Sequence, residues 1–228
     1  MSPEEARAAK LLAESGVAGQ HVRRLAQYAA LVLRKNHGPN LTGARTVDEM
    51  VAHISDSLTV TPYVRDPYVD VGSGAGLPGI PVAIATGMRT TLIEATSRKA
   101  AFLEEAIAEL ALDGAQVVAA RAEDVARDAR YRGQFASATA RAVASASAVL
   151  ELTAPLLAIG GIAILQRGRI DSGERSSLED AALILGCSVG AEIPLEGQKR
   201  LILVRKTGPT PDRFPRRPGV PEKRPLGQ

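Results

Sequence analysis

At 228 residues, 45% apolar and 23% charged, the chain has material for one α/β domain with extensions, and no apolar run approaches the roughly 20 residues of a membrane span. The single cysteine, Cys187, excludes an internal disulfide framework and a multi-cysteine metal site, and the acidic start Met1-Ser2-Pro3-Glu4-Glu5 lacks the apolar stretch of a secretory signal, so a soluble cytoplasmic protein without a metal is expected. The net charge of +3 hides an asymmetry: residues 199–228 hold nine Lys/Arg against two acids, while the other 198 residues carry 19 basic and 23 acidic groups, so the C-terminal end is either a solvated tail or the contact for a polyanion.

Ser2-Pro3-Glu4-Glu5 predicts a helix start, with Ser2 as N-cap and Glu5 closing a capping box. A longer amphipathic helix is expected from about Val17, with Val22, Leu25, Ala29, Val32 and Leu33 as its stripe, until His37-Gly38-Pro39-Asn40 ends it. Thr46 and Glu49 form a second capping box, and Met50, Val51, Ile54 and Leu58 face one way up to Pro62. Residues 1–62 therefore predict a helical cap.

The pattern then changes to alternating strands and helices. Tyr68–Val71 reads as a short strand entering a glycine-rich loop, Pro81–Thr86 as a helix, and Thr91–Glu94 as a second strand ending in an acid. A helix over Arg98–Leu112 turns Phe102, Leu103, Ala106, Ile107 and Leu110 inward and stops at Asp113-Gly114. Strands follow at Ala115–Ala120 and Phe135–Ala140, a helix at Ser147–Leu157, a turn at Gly160-Gly161, and a strand at Ile162–Leu165. A helix around Ser176–Leu185 and a last strand, Leu201–Val204, complete a core spanning 63–207. This alternation predicts a mostly parallel sheet with helices on both faces. Residues 208–228 form a basic, Pro-rich tail, expected to be extended and to order only against the domain or a partner.

The central motif is Asp70-Val71-Gly72-Ser73-Gly74-Ala75-Gly76-Leu77-Pro78-Gly79-Ile80. Glycines at 72, 74 and 76 let a strand-to-helix turn take positive φ and let a ligand approach the backbone. The loop lies 22 residues before Glu94, an acid at the end of the next strand that can accept both ribose hydroxyl protons of an adenosine. Leu77 stands where the dinucleotide fingerprint needs a third glycine, and Asp70 would repel a pyrophosphate while attracting the ammonium group of a methionine. That contrast favours S-adenosylmethionine over a nicotinamide dinucleotide. After the third strand, Arg121-Ala122-Glu123-Asp124 either accepts from an adenine amino group or simply starts a helix with acids.

Six motifs occur in order: Asn40-Leu41-Thr42; His53-Ile54-x-Asp56-Ser57-Leu58; the glycine loop through Pro81; Arg121-Ala122-Glu123; Arg141-Ala142-Val143-Ala144; and Pro215-Arg216-Arg217-x-Gly219-x-Pro221. Together they resemble the 16S ribosomal RNA guanine-N7 methyltransferase family, also called glucose-inhibited division protein B, from about residue 20 to the C-terminus. The resemblance implies a Rossmann-like class I methyltransferase fold, S-adenosyl-L-methionine as cofactor, and a guanine of small-subunit ribosomal RNA, free or in the assembled subunit, as acceptor. It implies Gly72, Leu77, Ala122, Glu123 and Arg141 as cofactor residues, with Glu94 where the family usually shows an acid, and a monomer. The chain departs from the family at Ala136, where an acid usually follows the aromatic residue, at Arg167-Gly168 in place of Lys-Gly, and at Asn36-His37-Gly38-Pro39 in place of an aromatic-Asn pair.

Guanine N7 offers an in-plane lone pair, so no base is needed and catalysis can rest on positioning. Consistent with this, no Asn-Pro-Pro-aromatic signature follows the fourth strand, and Cys187 lies too late for a carbon methylation that needs a thiolate; it reads as a small buried residue. Arg141 is expected either to position cofactor or guanine or to form a structural ion pair. His53 and Asp56 share a helix face and read first as a structural pair. Arg167, Arg216, Arg217, Lys223 and Arg224 are expected phosphate contacts. A nicotinamide oxidoreductase lacks its Tyr-x-x-x-Lys here; a noncatalytic RNA-binding or assembly protein and a small-molecule methyltransferase remain as alternatives.

Overall fold

The computed structural model describes residues 1–36, 41–141 and 145–227. The expected helix stop at His37–Asn40, and Ala142–Ala144 of the Arg-Ala-Val-Ala motif, lie outside the described residues. The chain opens with three helices, α1 (Pro3–Glu14), α2 (Gly19–Lys35) and α3 (Val47–Leu58). Both capping boxes form: Ser2 and Glu5 satisfy each other's backbone N–H groups at the head of α1, as Thr46 and Glu49 do at α3.

Seven strands follow: β1 (Tyr68–Val71), β2 (Thr90–Ile93), β3 (Ala115–Val118), β4 (Phe135–Ala140), β5 (Leu157–Arg167), β6 (Cys187–Pro194) and β7 (Arg200–Lys206). Their order in the single sheet is β3-β2-β1-β4-β5-β7-β6, with β7 antiparallel to both its neighbours and the other pairs parallel. The order reverses direction at β1, and the crevice outside the carboxyl ends of β1 and β4 is where such sheets bind ligands.

Helices α4 (Gly79–Thr86), α5 (Ser97–Glu109), α6 (Ala122–Val125), α7 (Ala146–Thr153) and α8 (Ser172–Ile184) fill the connections, and α9 (Val220–Lys223) lies in the C-terminal segment. Leu12, Leu25, Met50 and Ile54 of the first three helices share one buried cluster with Ile80, Leu92 and Leu103, so residues 1–62 extend the packing of α4 and α5. Val69, Val71, Ala138, Leu165, Leu150 and Leu178 form a second cluster that includes α7 and α8. Side chains alternate across β1 because its period is two, which sends Tyr68 and Asp70 one way and Val69 and Val71 the other.

The structure differs from two sequence expectations and agrees in part with a third, that the tail orders against the domain. Gly160-Gly161 is no turn between a helix and a strand: the α-helix ends at Thr153, and β5 runs from Leu157 straight through both glycines. Gly160 takes φ +88 where the β4–β5 register shifts between Phe135 and Ser137, so the pair marks a strand irregularity. Strand β6 was not expected, because it is a half-exposed edge strand with small residues and no clean alternation. The tail is also not merely extended: Phe214 and Pro215 are buried against the domain, and a short helix follows.

Candidate active site

The glycine loop is built from beneath. Asp70 is 1% exposed, and its two carboxylate oxygens accept from the Gly79 N–H (3.2 Å) and the Thr139 hydroxyl (2.8 Å). Burial pushes its carboxyl up to about 6, against those hydrogen bonds, which favour the charged form. The side chain is turned under the loop, so that it ties α4 to β1 and β4. The Ser73 hydroxyl donates to the Asp70 carbonyl, and the Gly72 and Ser73 N–H groups bond the Ile93 carbonyl.

Gly72, Gly74 and Gly76 take φ of +71, +57 and +95, and a Cβ on Gly76 would sit 2.6 Å from Ile80 Cδ1. Tyr28 of α2, fully buried, donates to the Ala75 carbonyl at 2.8 Å, so the N-terminal helices also fix the loop. Sequence reasoning missed Tyr28, since nothing local distinguishes it from a core aromatic. Glu94 stands just past β2 and accepts from the Gly74 N–H (2.9 Å) and the Thr96 N–H (2.7 Å). Glu123 in α6 is 6% exposed and accepts from the Gly219 N–H at 2.8 Å.

These elements enclose a cavity of about 120 Å³ lined by Gly72, Glu94, Ala122, Glu123, Pro221 and Glu222, among others. Gly72, Glu94, Ala122 and Glu123 were expected from the sequence to meet there; Pro221 and Glu222 were not. Leu77 is buried in the cluster shared with α2 and α3, behind the loop. Two carboxylates, the glycine backbone beside Glu94 and the apolar Val71 and Ile93 in the lining suit an adenosine, whose hydroxyls and amino group need acceptors and whose ring needs an apolar surface.

Arg141 emerges from β4 into an ion pair with Asp56 of α3 (3.2 Å), and Lys199, just before β7, reaches the other oxygen of Asp56 (2.9 Å). The Gln166 amide donates to the Asp56 carbonyl. The expected His53–Asp56 pair is thus replaced by a three-charge node; the His53 imidazole is held below its ordinary range by burial and by Arg141. Arg167 pairs with Glu174 at 2.7 Å. Arg216 is taken up by Glu151, a carboxylate buried completely in α7, through its backbone N–H and its guanidinium. Lys206, counted with the C-terminal cations, is buried and donates to the Leu185 carbonyl and to Thr210. Arg217, Lys223 and Arg224 are exposed.

Cys187 is buried, and desolvation pushes its thiol up. Ala136 sits near the start of β4, at the end of the sheet opposite the glycine loop, so that departure from the family pattern does not touch the cavity. Among the described residues no three His, Cys, Asp or Glu side chains stand together as metal ligands, and no helix is long and apolar enough to cross a membrane.

Sheet order, glycine loop and paired acids define a class I methyltransferase fold. Solved structures agree: the O-methyltransferase TomG from Streptomyces achromogenes, solved in complex with SAM, superposes with a TM-score of 0.57 at 15% identity, covering 91% of this chain and 100% of that one. The mitomycin 7-O-methyltransferase MmcR gives 0.57 at 16% identity, covering 90% and 69%. Residues 21–202 match the GidB family, rRNA small subunit methyltransferase G, and the chain belongs to it. The ribosomal RNA small subunit methyltransferase G of Pelotomaculum thermopropionicum is 38% identical, with 91% of each chain covered. That of Carboxydothermus hydrogenoformans is 36% identical over 97% of this chain and all of its own length.

Proposed function

We propose that this protein methylates N7 of a guanine in small-subunit ribosomal RNA, acting as a monomer in the cytoplasm. The observation that carries this reading is the cavity at the β1–β4 crevice, with Glu94 and Glu123 at its two ends, in a chain of the GidB family. S-adenosylmethionine supplies the activated methyl group. Glu94 would accept from the ribose hydroxyls, and Ala122 and Glu123 would hold the adenine edge. Gly72, Gly74 and Gly76 leave the backbone bare for the methionine portion.

The chain's own chemistry suits an acceptor that needs no base. Asp70 is sealed under the loop, Glu94 is bonded to two backbone N–H groups, and Asp56 is bound by Arg141 and Lys199. None of these carboxylates is placed as a free proton acceptor, and the N7 lone pair requires none. Arg141, steadied by Asp56 at the cleft, acts by positioning. Arg167, Arg217, Lys223 and Arg224 remain the proposed phosphate contacts, with Lys199 beside the node.

The test is methyl transfer from labelled S-adenosylmethionine to purified small subunits lacking the modification, followed by mapping of the labelled nucleotide. Label at N7 of one guanine is expected. Cofactor binding without transfer to subunits or to protein-free RNA would sink the ribosomal reading.

A further inference from the structure

We propose that the C-terminal strap, residues 210–224, is the movable wall of the cofactor site, and that Arg216 serves cofactor binding through Glu151. This inference rests on the cofactor reading above and assigns it residues outside the glycine loop.

The strap is fastened on both sides of its short helix; beyond that helix Leu226 packs against the cluster of α7 and α8, and the Ser177 hydroxyl donates to the Gly227 carbonyl at 2.8 Å. Phe214 is buried in the cluster of α7 and α8, Arg132 donates to the carbonyls of Thr210 and Phe214 (2.9 Å each), and Arg127 donates to those of Arg213 (3.3 Å) and Pro215. Arg216 then closes on Glu151 with four contacts of 2.5 to 3.0 Å. Glu151 is fully buried, so no RNA can share it, and an unpaired charge there is strongly unfavourable. Glu151 lies one residue before Leu152, which lines the cavity, so the clasp and the site share α7.

Beyond the clasp the hold on the site changes. Gly219, at φ +77, turns its N–H onto Glu123, and Pro221 and Glu222 complete the cavity lining. The cavity holds about 120 Å³, whereas pockets that bury a cofactor-sized ligand hold about 300 Å³ or more. The whole cofactor therefore extends past this half-open recess or widens it, and the strap is the wall that can yield. Gly72, Glu94, Ala122 and Glu123 are fixed to strand ends, to α6 or to the loop; Pro221 and Glu222 belong to a four-residue helix that meets the site through the Gly219 N–H and is held by the clasp before it and by Leu226 and Gly227 after it. On cofactor entry, the Glu123 carboxylate exchanges the Gly219 N–H for the adenine edge, and the strap, tethered at Arg216, settles against the adenosine as its outer wall.

The test uses three full-length variants: Pro221→Gly in the wall, Glu151→Gln in the clasp, and Arg216→Ala. S-adenosylhomocysteine affinity is measured by calorimetry without RNA, alongside trypsin cleavage after Lys223, which is exposed and, unlike Arg217 and Arg224, is not followed by proline. Pro221→Gly and Glu151→Gln should each weaken binding about tenfold in folded protein, and ligand should slow trypsin in the wild type but much less in the variants. A purely structural clasp would lower thermal stability and leave the affinity of the folded protein unchanged, which overturns the proposal. Tighter binding by Pro221→Gly also overturns it, since the strap would then be a cover that obstructs the site. Should Glu151→Gln or Arg216→Ala fail to fold, Pro221→Gly, which strands no buried charge, decides alone. A wild-type chain that binds no S-adenosylhomocysteine overturns the cofactor reading itself, a result distinct from an unchanged Pro221→Gly.

Discussion

The two sides of the cleft are held by different kinds of contact. On the β1–β2 side most partners of the loop are near in sequence: Ser73 to Asp70, Gly79 to Asp70, and Gly74 to Glu94 are separated by 3, 9 and 20 residues, with Tyr28 reaching Ala75 across 47. On the β4–β5 side they are distant: Arg216 to Glu151 spans 65 residues, Arg141 to Asp56 spans 85, and Lys199 to Asp56 spans 143. The near side is a backbone shape imposed by glycines and one buried acid. The far side is a set of charge pairs drawn from α3, α7 and the C-terminal segment. The shape should therefore fail by strain, and the charge pairs by loss of affinity.

The largest expected effect tests the shape. Gly76→Ala combines a left-handed φ with a Cβ 2.6 Å from Ile80 Cδ1, and should cost about 3–4 kcal/mol of stability in urea unfolding. Gly74→Ala, where the nearest atom is the Gly72 carbonyl oxygen at 3.9 Å, should cost about 1 kcal/mol. Equal losses would mean that crowding at Ile80 contributes nothing.

Asp70 tests whether the near side carries a charge at all. Its carboxyl titrates near 6 in the folded protein, above the ordinary carboxylate value near 4, so the folded state holds the proton more tightly. Stability contributed by this group is present at low pH and is lost as pH rises from about 4 to 6, by up to roughly 3 kcal/mol. Asp70→Asn keeps an oxygen for the Gly79 N–H and offers an amide to Thr139. It should fold and lack that decline; a wild-type profile flat or rising through this window, once other groups are matched by the variant, speaks against a raised Asp70.

Glu94 marks where the near side meets the ligand. Glu94→Ala removes the acceptor for two backbone N–H groups and for the ribose, and should weaken S-adenosylhomocysteine binding by about 10–100-fold, as hydrogen bonds to a charged group are worth about 1.5–3 kcal/mol each. Unchanged affinity would place the adenosine elsewhere.

The same division explains what was legible in the sequence. Capping boxes, the glycine loop and the acid closing β2 declare themselves because residue type and spacing dictate local geometry, and the structure places them as spaced. Asp70 was legible as important but not in what it does, because the sequence does not show which way a side chain at a strand end turns. The Asp56 node, Tyr28 and the Glu151 clasp were not legible, since each depends on which elements the fold brings together. Arg216 shows the consequence: beside Arg217 in a basic, Pro-rich run it reads as one more phosphate contact, and only the fold reveals the buried carboxylate it answers.

That neighbouring pair gives the finest test. Arg217 is exposed, whereas Arg216 is bound to Glu151. If RNA is held by counterion release along the strap's outer side, Arg217→Ala should lower the slope of log affinity against log salt by about 0.7–0.9 units, the value of one lost phosphate contact. Arg216→Ala, measured at saturating S-adenosylhomocysteine so that the strap is seated, should leave the slope unchanged and move cofactor affinity alone. Equal slope changes from both would return Arg216 to the RNA surface. A slope change from neither would shift the RNA contacts toward Arg167 and Lys199, on the β5–β7 side of the cleft.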